Sequence, residues 1–124
     1  MRDGVIYGVD GETSALIAVS MKDGRLWSTT KPSLSPEASK KSRHGTAFLV
    51  YHEQNKQYWM FGEMGDLILA ELSAEGYKEL GRQHILAPTN GAWGRQVVWT
   101  HPAFADKSVF VRNDKELVRV DLSE

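Results

Sequence analysis

Apolar residues in this chain arrive in short bursts: Val5-Ile6-Tyr7, Ala15 to Val19, Ala47 to Tyr51, Tyr58 to Phe61, Leu67 to Leu72, Val97 to Trp99, Val109 to Val111 and Leu117 to Leu122. Gly, Asp, Asn and charged residues separate them. Bursts of this length, rich in β-branched and aromatic residues and bounded by turn formers, predict β-strands. No helix of ordinary length is required. Ser73 to Leu80 has some helical propensity, but Gly76 and Gly81 cut it below the length a stable helix needs.

Several bursts are apolar at every position, as in Ala47-Phe48-Leu49-Val50-Tyr51 and Tyr58-Trp59-Met60-Phe61. A strand with one wet face would alternate apolar and polar residues. Both faces of these strands are therefore expected to be covered, as they are when small sheets stack radially in a β-propeller.

A repeat supports this reading. Gln57 to Ser73 lies over Lys107 to Ser123 without a gap, an offset of about fifty residues, which falls within the range of propeller repeats. Leu67, Leu72 and Ser73 recur as Leu117, Leu122 and Ser123, and the same shift lays Ala47-Phe48-Leu49 onto Val97-Val98-Trp99. A looser copy runs through Val5 to Gly11, Leu16 to Ser20 and Asp23 to Trp27. With strands lettered A to D from the axis outward, the chain reads B-C-D, A-B-C-D, A-B-C. The expectation is a partial β-propeller of about two and a half four-stranded antiparallel blades. Its parts are 1–30, a mobile loop over 31–43, 44–87 and 88–124. The loop is assigned from Pro32, Pro36, their neighbouring serines and the near absence of large apolar residues.

Composition narrows the function classes. At 124 residues there is room for one domain with a core. Fifteen Lys and Arg against sixteen Asp and Glu leave a net charge of −1, with no field to gather nucleic acid or anionic lipid. Cysteine is absent, which excludes disulfides, thiolate metal sites and a cysteine nucleophile. Met1-Arg2-Asp3-Gly4 opens no apolar signal segment, and no stretch approaches the ~18 apolar residues of a membrane helix.

The run Leu16-Ile17-Ala18-Val19-Ser20-Met21-Lys22-Asp23-Gly24-Arg25-Leu26-Trp27 resembles the repeat signature of PQQ-like propellers, in which Ala and Asp precede a Gly turn and a closing Trp. Ser20 departs from the Asp usual at its position. Gly65-Asp66-Leu67-Ile68-Leu69-Ala70, Pro88-Thr89-Asn90 and Trp99-Thr100-His101-Pro102-Ala103-Phe104-Ala105 resemble the C-terminal end of bacterial PQQ-binding-like repeat proteins. The resemblance implies a blade fold and a periplasmic or secreted parent. It leaves function open, since such repeats occur both in quinoprotein dehydrogenases and in non-enzymatic scaffolds. It also implies that Trp27 packs in a seam between blades, and that the later copies, with Glu75-Gly76 at the turn, lack this Trp.

Candidate chemistry is sparse. His44, His52, His84 and His101 lack the spacing of a zinc motif, and the turns at Asp10-Gly11-Glu12 and Asn113-Asp114-Lys115-Glu116 lack the ligand series of a calcium loop. Gly62-Glu63-Met64-Gly65 reads as a strand connection and not a phosphate cradle. No spacing points to a Ser/His/Asp nucleophile, and a polar hairpin tip accounts for Glu63 and Asp66 without a catalytic carboxylate pair. Blade topology places the D-to-A and B-to-C connections on one rim, so Arg43, His44, Trp93 and Arg95 are expected beside Glu63, Asp66, Asn113 and Asp114, a setting suited to a polar ligand or peptide. The favoured function is a non-catalytic binding or scaffolding module with no cofactor. Its rival is part of a PQQ-dependent quinoprotein dehydrogenase using PQQ and calcium. Two and a half blades would leave open faces and edges, so self-association is expected, with the chain either complete or a fragment of a longer propeller.

Overall fold

The computed structural model describes residues 1–34 and 43–123. Over these the chain is all β, with twelve strands and no helix. In chain order the strands are β1 (Val5–Val9), β2 (Leu16–Ser20), β3 (Gly24–Thr29), β4 (Ala47–His52), β5 (Gln57–Gly62), β6 (Asp66–Leu72), β7 (Tyr77–His84), β8 (Asn90–Ala92), β9 (Arg95–Val97), β10 (Ala103–Ala105), β11 (Ser108–Arg112) and β12 (Leu117–Asp121). They form a first sheet β1-β2-β3, a middle sheet β4-β5-β6-β7, a small hairpin β8-β9 and a last sheet β10-β11-β12, each an open antiparallel meander. Most of the loop expected over 31–43, namely 35–42, lies outside the described residues.

The middle sheet is covered on both faces, which is why its strands are apolar at successive positions. Tyr58, Met60, Ile68 and Ala70 pack with Leu16, Tyr7, Val9 and Trp27 of the first sheet. Phe61 and Leu67 pack with Val109 and Val111 of the last sheet and with Leu86 and Val98 of the intervening segment. Met60, Phe61 and Ile68 are wholly buried. Burying such side chains contributes roughly 1.5–3 kcal/mol each, so most of the stability resides in these two seams.

The three sheets are equivalent, though not by the gapless offset. Tyr58 and Met60 pair with Ala70 and Ile68, whereas Val109 and Val111 pair with Val120 and Val118. The β11 positions turned toward the preceding sheet therefore stand one residue later than the alignment places them. The cause is turn length: the last paired residues are Phe61 and Leu67 in one hairpin, but Arg112 and Leu117 in the other, which has one residue fewer between them. A one-residue slip turns a side chain to the opposite face. The slip touches β11 alone: β12 keeps the offset of fifty, so Leu117 faces as Leu67 does, and it is 71% exposed because among the described residues no sheet covers that face of the last one.

The first strand of the last sheet also departs from the repeat, which lays Val97-Val98-Trp99 over Ala47-Phe48-Leu49 of β4. Val97-Val98-Trp99 is not that strand. Val97 closes the β8-β9 hairpin, and the Val98 N–H bonds Glu63 of the middle sheet at 2.7 Å. β10 takes that place, with Phe104 opposite Val109 as Tyr51 lies opposite Tyr58. The last strands of the first and middle sheets carry a one-residue bulge at matching places, Leu26 of β3 opposite Ala18 and Val19, and Leu80 of β7 opposite Leu69 and Ala70. The bulges fix the correspondence of β3 with β7: Ala18 pairs with Trp27, and Leu69 with Gly81.

Turn chemistry follows the residues. The Ser20 hydroxyl accepts the Lys22 and Asp23 N–H groups, each at 3.1 Å, and Gly24 takes φ 78°. Trp27 packs in the first seam and its indole N–H donates to the Ser73 carbonyl at 2.8 Å.

Candidate functional site: the rim at the β5–β6 turn

Glu63 is the hub of the rim. It sits in the turn between β5 and β6, where its N–H donates to Thr46 at 3.1 Å and its carbonyl accepts from Val98. Its side chain is completely buried. The carboxylate accepts from Arg95 Nε at 2.7 Å, Arg95 Nη2 at 3.1 Å and the Trp99 indole at 3.0 Å. A buried carboxylate is costly unless its lone pairs are met by well-placed donors. Here a forked guanidinium and an indole meet them. Arg95 also donates to the Arg43 carbonyl at 3.0 Å, so one side chain ties the β8-β9 hairpin to the middle sheet and to the segment before β4.

Beside this ion pair lies an exposed stack. The rings of His44 and Trp93 are 4.5 Å apart with 27° between their planes. Trp93 and Gly94 form the two-residue turn joining β8 to β9, at φ 52° and 76°. Both central residues of a type I′ turn are left-handed, a place that Asn-Gly fills without strain and Trp does not. His44 is left-handed too, at φ 60°, and its N–H is held by the Gly11 carbonyl at 2.7 Å. Trp93 remains 70% exposed.

The other expected rim residues have structural partners of their own. Asp66 accepts from Arg82 Nη1 and lies at 2.9 Å from His84 Nδ1. Arg82 also forks onto Glu79 at 2.9 and 3.0 Å and reaches the Lys31 carbonyl at 2.6 Å. Residues three apart on a regular strand point to opposite faces; the bulge at Leu69/Ala70 shifts the parity, so Glu79 faces with Ala70 and Arg82 with Ile68, on one side of the sheet. Hydrogen bonding from Arg82 holds the Glu79 carboxyl below the usual range. Burial, followed by its bond to Glu79, pushes the Tyr77 phenol well above its ordinary value. The Arg82 guanidinium is held more firmly protonated still, chiefly by Glu79.

Asn113 is buried and closes the β11–β12 turn: its Oδ1 accepts the Lys115 and Glu116 N–H groups at 2.8 Å, and its Nδ2 donates to Ala87 at 3.0 Å. Asp114 accepts from the Thr89 hydroxyl, which lowers its pKa. Thus Arg43, His44, Glu63, Trp93 and Arg95 form one cluster, Asp66 belongs to the outer-strand network, and Asn113 and Asp114 anchor the 87–89 segment.

Two contributors escaped the sequence reading. Trp99 is read there as a strand residue, and nothing in its neighbours marks it as a donor to Glu63. Arg82 needs the bulge to reach Glu79, and bulges leave little trace in a polar strand. Of the remaining histidines, His101 lies against the Phe48 ring at 4.0 Å and His52 lines a cleft on the second seam. Among the described residues no three His, Asp or Glu side chains converge as metal ligands would. No family model matches the chain, and comparison with curated proteins and with solved structures gives no match.

Proposed function

We propose that this chain is a non-catalytic binding module built from propeller-type blades, and that its rim recognises an extended polar peptide through the His44–Trp93 stack. The blade reading rests on three stacked sheets with corresponding strands, of which the first lacks the inner strand and the last the outer one. The observation that carries the binding reading is Trp93, a large aromatic held 70% exposed in a left-handed turn and braced by a histidine whose main chain is itself bonded. Strained, exposed aromatic residues concentrate where a surface has a ligand to meet. The neighbouring charges of Glu63 and Arg95 are committed to each other and serve as the rigid support of that platform.

Panning a random-peptide library against the wild type, with Trp93→Asn as counter-selection, tests this. Asn suits the type I′ turn, so the variant removes the indole and keeps the hairpin. The reading requires enriched peptides that bind the wild type and not the variant; peptides bound equally by both would reject it. Self-association through the open face of the first sheet accompanies this proposal, because that face presents Ile6, Ile17 and Val19.

A further inference from the structure

One large side chain of the first seam has no counterpart in the second. In the first, the Trp27 ring lies between sheets, 5.9 Å from Tyr7, and its N–H is taken by the Ser73 carbonyl. In the second seam the position equivalent to Trp27 is Gly81: each follows the bulge of its outer strand and pairs with the matching residue of its neighbour, Ala18 or Leu69. Leu69 adds less volume than the exchange of Trp for Gly removes. A Cβ built on Gly81 meets no atom within 4 Å. On this seam, lined by Leu69, Trp59, Phe104 and Leu122, opens a cleft of about 760 Å³, within the ~300–1,000 Å³ of small-molecule sites. Ser123 holds in the last sheet the sequence place of Ser73. Asp106 and Lys107 bring opposite charges to the cleft mouth.

We infer that this cleft is a binding site for an indole, supplied by the tryptophan side chain of an extended peptide partner. The same seam one repeat earlier is completed by an indole from the chain itself, tilted 35° against an aromatic ring and bonded through its N–H to the carbonyl of Ser73, which follows β6. The second seam offers Trp59 in place of Tyr7, its ring 6.3 Å from Phe104, and leaves the indole to come from outside. Edge-on or offset aromatic contacts of this kind hold a ring in a defined orientation. The mixed charges at the mouth suit the neutral main chain of a peptide with polar neighbours. This site is separate from the His44–Trp93 rim and stands without it.

The test is an NMR titration of the whole chain with N-acetyl-tryptophanamide and with the tripeptide Gly-Trp-Gly, read at Leu69, Phe104 and Leu122. Saturable shifts of those residues at millimolar ligand or below are expected, undiminished in Trp93→Asn and abolished in Gly81→Trp, whose own side chain would take the indole's place over Leu69. Gly81→Trp should also raise the melting temperature by several degrees. Absence of saturation in the wild type overturns the inference. So does undiminished binding by a folded Gly81→Trp protein, or a lowered melting temperature in that variant. Loss of peptide selection by Trp93→Asn with cleft binding intact would concern the rim alone.

Discussion

At the scale of single residues, the polar groups of the rim divide into those that hold the sheets and those left facing solvent. The Tyr77–Glu79–Arg82–Asp66 network is of the first kind, and it has a pH signature. Glu79 has a folded pKa below its ordinary 4.5, so its contribution is present above that value and is lost as pH falls through the depressed one. Tyr77, raised above its ordinary 10, contributes below pH 10 and loses this as pH rises further. Melting temperature is therefore expected to fall on both sides of a neutral plateau. Exposed Asp10, Asp114 and Asp121 share the acid arm, since each is held low by local hydrogen bonds. Arg82→Ala should flatten that arm in a series of thermal melts below pH 4.5, and Tyr77→Phe the alkaline one. An unchanged slope in both variants would show that the network carries no folding energy. The pairing of Arg82 with Glu79 was not legible in the sequence, because it depends on a bulge that realigns charged residues of a polar strand.

At the scale of elements, legibility followed burial. The strands β5 and β6 announced themselves because both their faces are covered, and Tyr58, Trp59, Met60 and Phe61 have no solvent side to mark with polar residues. The outer strand β7 did not, since most of its residues are exposed. The three-residue strands β8, β9 and β10 are too short to show a period. Turn lengths were the other blind spot: the gapless alignment holds for β12, but the shorter turn shifts β11 by one residue. Two turns carry predictions. Gly65 has φ 85°, and a Cβ there would lie 1.7 Å from the Leu86 carbonyl oxygen. Gly65→Ala is expected to cost about 3 kcal/mol or more, combining strain with a displaced backbone, as measured by urea unfolding. Asp106 and Lys107, at φ 48° and 53°, form a two-residue turn with both residues left-handed. Lys107→Gly should therefore stabilise the fold by about 1 kcal/mol. A loss of stability would mean that the Lys107 side chain contributes more than its conformation costs.

At the scale of the whole molecule, the two end sheets are unlike. The outward face of the first sheet presents Ile6, Gly8, Ile17 and Val19, whereas that of the last mixes Phe110 and Leu117 with Arg112, Arg119 and Asp121, with Arg119 bonded to Ser108. The proposed self-association is accordingly expected through the first sheet and in closed pairs, since one apolar face repeated on two copies makes a self-complementary contact. Light scattering across a concentration series should show a monomer–dimer transition that Ile6→Lys with Val19→Lys removes; a wild-type chain that stays monomeric would contradict it. The composition, the all-β class and the two-faced middle sheet were readable in advance, and the buried Glu63 hub was not, because its donors Arg95 and Trp99 lie more than thirty residues away in sequence. That hub bears the central claim, that rim charges build the platform while the exposed aromatic pair is left for recognition. One paired calorimetric and binding measurement on Glu63→Gln and Trp93→Asn tests it most directly. Breaking the buried ion pair should cost about 3 kcal/mol, roughly 10 °C in melting temperature, while Trp93→Asn should keep the melting temperature and lose the peptides selected on the wild type. A Glu63→Gln protein as stable as the wild type, or a Trp93→Asn protein that still binds those peptides, would contradict it.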